Sequence, residues 1–422
     1  SNVNLLDFSS NVFIAAFFLY SGAFMLYTIA IMGRKWSGRK PEEHTARWGK
    51  VAFIASSLGL LCHILYFFTR WAGSGHIPVS NMYEFMTFLS MMVMVAFTVI
   101  FAIYRKILLG LFAVPISIII MAYAAVFPQE VQPLIPSLKS IYLNIHVTLA
   151  ALGESFFAVG FAAGLMYLLR TVNFNSVAKS DKKQQRLVEF TLFSIIVIIG
   201  FIGSVFAFRG AGYETVFSRQ NVTIDSPGQE NSTIEKVSYK MPPIVAPYHS
   251  EIDSFQSFLG IKEPIFEAPS WMNGVNAGRK FNTVIWSLLS GLILYGIIRL
   301  IARKPLGKAL HPLLDGIDAD DLDEITYRAI AIGFPIFTLG ALIFAMIWAQ
   351  VAWGRFWGWD PKEVWALVTW LFYSAYLHLR LARGWQGRKS AWLAVLGFLV
   401  VMFTLVGVNL VIAGLHSYAG TD

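Results

Sequence analysis

The chain has 422 residues, 56% of them hydrophobic and 14% charged, with a mean hydropathy of +0.60. That balance is too apolar for a water-soluble enzyme, a disordered chain or a nucleic-acid binder, and the apolar residues fall in blocks of about 20, the length that crosses a bilayer as a helix. A net charge of +8 is what the cytoplasmic loops of a membrane protein gather, and the single cysteine, Cys62, excludes a disulfide framework, a CxxC redox pair and a CxxCH haem-attachment site.

In chain order the pattern predicts an all-α polytopic membrane protein with about ten spans, near 11–32, 49–71, 82–104, 107–127, 141–170, 188–208, 280–301, 326–348, 364–383 and 391–413. Residues 1–208 form an N-terminal bundle of six spans, 209–279 an external soluble segment, and 280–422 a C-terminal bundle with a tryptophan-rich loop at about 348–370. Orientation follows from the basic residues. Arg34, Lys35, Arg39 and Lys40 follow span 1, Arg105 and Lys106 span 3, and Lys179, Lys182, Lys183 and Arg186 span 5. Arg303, Lys304 and Lys308 follow span 7, and Arg383, Arg388 and Lys389 follow span 9. The positive-inside rule then puts both termini, and the loops after even-numbered spans, outside the cytoplasm. The segment 209–279 is polar and suggests no chemistry, and DADDLDE at 318–324 reads as a solvated acidic helix start. Gly160 and Gly164 form a GxxxG suited to close helix packing.

Six of the 13 tryptophans fall within residues 348–370: Trp348, Trp353, Trp357, Trp359, Trp365 and Trp370. An interfacial aromatic belt needs one or two per helix end, so this density, with Gly354 and Gly358 interleaved, suits a platform for a large planar ligand. Within it, Asp360 opens DPKE, with Pro361 at N1 and Glu363 at N3, the pattern of an N-cap and capping box at the start of span 9.

The eight histidines sort by topology. His44, His249 and His311 are expected at the surface, and His76 in a short external loop. His146, near the external end of span 5, and His416, directly after span 10, share the membrane face of the tryptophan loop. Two neutral imidazoles across a planar, aromatic-lined site suit bis-histidine ligation of haem iron. His63 and His378 lie deeper, at depths that differ by roughly 12 Å, which poorly suits one shared iron. A partner for His378 is then expected from another chain, and His63 is expected to pack as a buried polar residue.

Several segments together carry a resemblance. PVSNMYEFMTFLS at 78–90, NIHV at 144–147, LDEITYRAIAIGFP at 322–335, WGRFWGWDPKEVWALVTW from 353, YLHLR at 376–380 and GVNLVIAGLHSYAG at 407–420 are similar to the haem-handling proteins of cytochrome c biogenesis. The match is to the CcsA or ResC branch of the two-component (system II) cytochrome c synthase. It implies that His146 and His416 are the external axial ligands of haem b, flanking a platform counted over Trp353, Trp357, Trp359, Asp360 and Trp365. It implies that His378 is a transmembrane ligand whose opposite partner lies in a CcsB- or ResB-like membrane subunit. The implied activity is thioether attachment of haem to the CxxCH of an apocytochrome c at the outer face of a bacterial cell membrane, and the alternative is a haem exporter or chaperone without ligation. The family's compact members connect the NIHV and LDxxxYR helices directly, whereas this chain inserts two spans and residues 209–279. It also lacks a fused CcsB-like half, which implies one subunit of a complex.

Overall fold

A computed structural model describes residues 2–407. The helices are α1 (Asn2–Met32), α2 (Pro41–Ser74), α3 (Met82–Tyr104), α4 (Ile107–Ala124), α5 (Ile141–Thr171), α6 (Lys179–Gly210), α7 (Ala277–Ala302), α8 (Leu306–Leu310), α9 (Ala319–Phe337), α10 (Ala345–Trp353), α11 (Pro361–Arg383) and α12 (Arg388–Met402). A π-helical stretch, Thr338–Phe344, joins α9 to α10 without a break, and another, Phe403–Gly407, follows α12. Among the described residues, nine helices are long and apolar enough to cross a membrane. They coincide with nine of the ten expected spans, and the chain is a multi-pass membrane protein. The tenth, α11, has formed as a helix, but Trp, Tyr and His within it and Lys362, Glu363, Arg380 and Arg383 at its ends lower its hydropathy. Several helices outrun their apolar blocks by a turn or two, because polar residues at the water boundary continue the backbone ladder.

The described residues divide into two compact units, residues 2–188 with 307–407 and residues 189–306. This grouping differs from a division by composition, since most of α6 and all of α7 go with the insert between them. The reason is packing: Gly200 of α6 lies against the backbone of Ser290 and Gly291, and Gly291 against Val197, a contact only small residues permit. Tyr295 also donates to Glu189 at 2.5 Å. The insert itself is β-structure. Strands β1 (Thr215–Ser226) and β2 (Gln229–Tyr239) form an antiparallel hairpin through Pro227-Gly228, where Gly228 takes φ +90°. Strands β3 (Val245–Ala246), β4 (Ser250–Ser254) and β5 (Phe266–Glu267) follow, with β4 on the free edge of β1 and β3 parallel to β5. Phe217, Val237, Tyr239 and Ala246 make its small core.

In the larger unit α5 is the central helix and is buried on nearly all sides. Small residues bring α9 onto it: a Cβ on Gly153 would lie 2.7 Å from the backbone nitrogen of Phe337, and one on Gly333 would lie 2.9 Å from the carbonyl of Gly153. Gly160 and Gly164 meet Ile330 and Ala391 in the same way, so the GxxxG packs helices within this chain. The acidic start of α9 is capped by Asp318, whose side chain accepts from the Asp320 amide at 2.9 Å, while Asp323 takes Arg380 in a two-pronged pair at 2.9 and 2.8 Å. Lys106 pairs with Asp321 at 2.9 Å, which puts the α3–α4 junction and the start of α9 at one end of this unit.

Three histidines settle into structural roles. His63 is fully buried, with Nδ1 3.0 Å from the Tyr20 hydroxyl and Nε2 2.9 Å from the Thr87 carbonyl, as a buried polar residue should be. His44 and His311 correct the expectation of surface positions. His44 is buried and reaches the Ile29 carbonyl at 2.9 Å, and His311 reaches that of Leu169 at 2.6 Å. Both carbonyls belong to the last turn of a helix, where the backbone ladder runs out and a side-chain donor can reach the end of the helix.

Candidate functional site

At one end of the larger unit, the connections after α2 and α4, the start of α5, α10 with its continuation, the start of α11 and the turn after α12 surround a cavity of about 690 Å³. That volume is in the range of small-molecule and cofactor sites. Numbered as spans, these are the ends that an even-span parity brings together.

Two of the connecting walls are tied by one buried ion pair. Arg70 in the last turns of α2 donates from Nε to Glu84 of α3 at 2.7 Å and from Nη2 to the Gln129 carbonyl at 2.9 Å. Glu84 in turn accepts from the Ser80 hydroxyl at 2.7 Å, and Asn81 caps α3 by accepting from the Glu84 amide at 2.8 Å. Both charged side chains are nearly inaccessible, so each satisfies the other where water cannot. The loops that line the cavity at Ser80, Asn81 and Glu130 are thereby held by side chains a turn below them.

His146 reaches the cavity from the second turn of α5. Its Nδ1 is 2.7 Å from the carbonyl of Gly340, and because a carbonyl only accepts, Nδ1 carries the proton and Nε2 holds the lone pair. This is the outer-sphere arrangement that fixes the ring of a metal-ligating histidine. The accepting carbonyl belongs to the π-helical stretch, where widening of the i→i−4 ladder re-aims backbone oxygens, and π-bulges are frequent at functional sites. Gly340 has no Cβ, so α5 approaches until Leu149 and Ala150 touch its backbone. The imidazole stacks on Trp348, with ring centroids 5.9 Å apart and planes at 16°.

The tryptophan segment is a correction in part. It is mainly helical: Trp348 and Trp353 end α10, Trp365 and Trp370 lie on α11, and only residues 354–360 form a loop. Gly354 terminates α10 in the left-handed region at φ +72°, and Asp360 starts α11 as the N-cap of a complete capping box with Glu363. Glu363 also accepts from the Gly358 amide at 3.1 Å and pairs with Arg355 at 3.5 Å, and the Arg355 guanidinium lies 5.7 Å from the Trp353 ring. Trp359 sits between Gly358 and Asp360 at φ +55°, a strained conformation for a bulky residue, and the Glu363 bonds on both sides hold it there.

The expected site residues therefore separate. His146, Trp353 and Trp357 line the cavity, and the buried indole nitrogen of Trp357 has no hydrogen-bond partner. Trp348 and Phe356 join them. Trp359 is 68% exposed, Trp365 packs edge-on against Phe403, and Asp360 is buried as a cap; none of the three is among the lining residues. His378 is on the exposed face of α11, away from the buried Tyr373 and Tyr376. His416 lies outside the described residues, 11 positions beyond the lining residue Leu405. Reading the histidines alone passes over Glu154 and Lys362, which both line the cavity. The signal for Glu154 was present: it is an ionisable side chain in mid-span, eight residues after His146 and so on the same helical face.

The model of the family described as cytochrome C assembly protein matches residues 79–245 and 284–416, which include every lining residue of the cavity except Ile77. The chain belongs to the cytochrome c assembly protein family. It is similar to the cytochrome c biogenesis protein CcsA of Nostoc punctiforme, 32% identical over 386 residues, covering 88% of this chain and 92% of that protein. The CcsA of Crocosphaera subtropica is 32% identical over 362 residues (85% and 84%), and that of a Picosynechococcus species 32% over 386 residues (88% and 91%). This assembly-family member is of the CcsA type, a membrane protein with a role in cytochrome c maturation.

Proposed function

We propose that the chain carries haem b to the outer face of a bacterial plasma membrane and positions it for covalent attachment to an apocytochrome c, as one subunit of a synthase with a CcsB- or ResB-like partner. The observation that carries this reading is the His146 imidazole on the cavity wall, its Nδ1 committed to Gly340 so that Nε2 is the ring nitrogen that would meet iron, stacked on Trp348 with Trp353 edge-on beside it, an aromatic wall that suits a flat macrocycle. His416 supplies the second axial imidazole. His378, exposed on α11, serves a second, transmembrane haem position whose opposite ligand comes from the partner subunit. The termini and the loops after even-numbered spans lie on the extracytoplasmic side, in keeping with the basic loops after odd-numbered ones.

Haem is the substrate here, and the protein contributes orientation. Each cysteine thiol of the CxxCH adds across one haem vinyl group: sulfur bonds to one vinyl carbon, the thiol hydrogen ends on the other, and nothing leaves. The apocytochrome histidine then displaces one external imidazole to release product. The test is production of covalent cytochrome c by this chain with its CcsB-like partner in a host lacking its own system. Covalent product is expected, and its loss in His146→Ala with partial rescue by added imidazole would support the ligand role. Bound haem that stays wholly extractable, with no covalent product, would replace this reading by that of an exporter or chaperone.

A further inference from the structure

Below His146 the cavity holds a group that axial ligation does not use. His146, Ala150 and Glu154 follow one another at i, i+4 and i+8 on α5 and all face the cavity, so Glu154 lies about 12 Å further along the helix axis. It is 7% exposed, and its Oε2 is buried with no hydrogen-bond partner. A buried acceptor left in this state on a cavity wall is a position for a ligand's polar group. Lys362, in the first turn of α11, lines the same cavity and acts electrostatically on Glu154. Lys362 and Tyr373 of α11 both interact electrostatically with Glu154, and Asp360 acts on Lys362 in turn. His146, Glu130 and Glu363 are the other titratable groups around the cavity.

We propose that Glu154 and Lys362 form a carboxylate-reading subsite, which takes an acidic side arm of the bound tetrapyrrole as a proton-sharing pair. This rests on the reading of the cavity as a haem site and adds to it the group that recognises the macrocycle's edge. The charge count dictates the form. Two carboxylates and one ammonium carry one net negative charge, and a water-poor site tolerates this poorly. One proton taken up with the ligand makes the set neutral: it bridges Glu154 and the incoming carboxylate, as carboxyl pairs sharing a site do. An esterified side arm cannot share that proton, cannot pair with Lys362, and leaves Glu154 unsatisfied.

The experiment titrates the purified full-length chain with haemin and with haemin dimethyl ester, following the Soret band across the neutral pH range. Wild type is expected to prefer the free acid by about tenfold or more, the scale of a hydrogen bond to a charged group, with that affinity falling as pH rises while the ester's does not. Lys362→Met and Glu154→Leu should bind both ligands equally. Glu154→Gln, which conserves shape and can donate, should keep a preference and lose its pH dependence. Equal binding of the two ligands by wild type, or wild-type preference in Glu154→Leu, would overturn the subsite while leaving the haem site standing. Failure of wild type to bind either ligand would instead overturn the haem reading, and the subsite with it.

Discussion

His146 and Gly340 are joined by a 2.7 Å hydrogen bond across 194 positions of sequence, from an imidazole on α5 to a carbonyl in the π-helical stretch that follows α9. The bond decides which ring nitrogen carries the proton, and it exists because Gly340 lets two helices touch backbone to backbone.

A methyl group at Gly340 would collide with the backbone of Ala150 and Leu149. Gly340→Ala is therefore expected to cost about 1–3 kcal/mol through overpacking and to lower haem retention about tenfold or more by displacing the acceptor of His146. Thermal unfolding in detergent and the Soret absorbance per protein measure the two effects. Unchanged haem content in a folded variant would remove the positioning role of this carbonyl.

The tryptophans divide by location, and so should their variants. Trp353→Ala and Trp357→Ala, which empty the cavity wall, are expected to lower haem content several-fold, whereas Trp359→Ala, at an exposed position, should leave it near wild type. Pyridine haemochrome assay of matched preparations provides the comparison. Equal losses in all three would mean that the platform includes the exposed indole.

Asp360 acts here through helix α11. Replacing it by Ala removes one half of the capping box and should lower stability by about 0.5–2 kcal/mol, while Asp360→Asn keeps most of the cap and should be close to wild type. A haem defect in Asp360→Asn at wild-type stability would assign the carboxylate a direct role at the ligand.

Arg70→Met leaves Glu84 buried and unpaired, and about 3–5 kcal/mol of destabilisation is expected, as for other broken buried pairs. The double variant Arg70→Met with Glu84→Met removes both charges and should recover a large part of that loss. A thermal-unfolding double-mutant cycle measures the coupling. Independent, additive effects would show that the pair does not hold the cavity loops as a unit.

By itself the sequence determined the order of the membrane-length helices and nine of the ten expected spans, because 20-residue apolar blocks in a bilayer have one satisfactory backbone arrangement. It determined the Asp360 cap, since capping is a local hydrogen-bonding pattern within four residues. It also brought His146 and the tryptophan segment together through span parity, and members of both line the cavity, whereas His416 lies outside the described residues. Only the tertiary structure decided that Trp353 and Trp357 face the cavity while Trp359 and Trp365 do not. Which face of a short loop points inward depends on Gly354, Glu363 and Arg355 acting together. Burial of His44 and partial burial of His311 were likewise decided by helix ends distant in sequence, whose last-turn carbonyls lie within hydrogen-bond reach of the rings. The π-helical carbonyl that orients His146 and the placement of Glu154 and Lys362 around one cavity rest on contacts between helices far apart in the chain. Hydrophobic periodicity records that a residue is buried, but not what it is buried against.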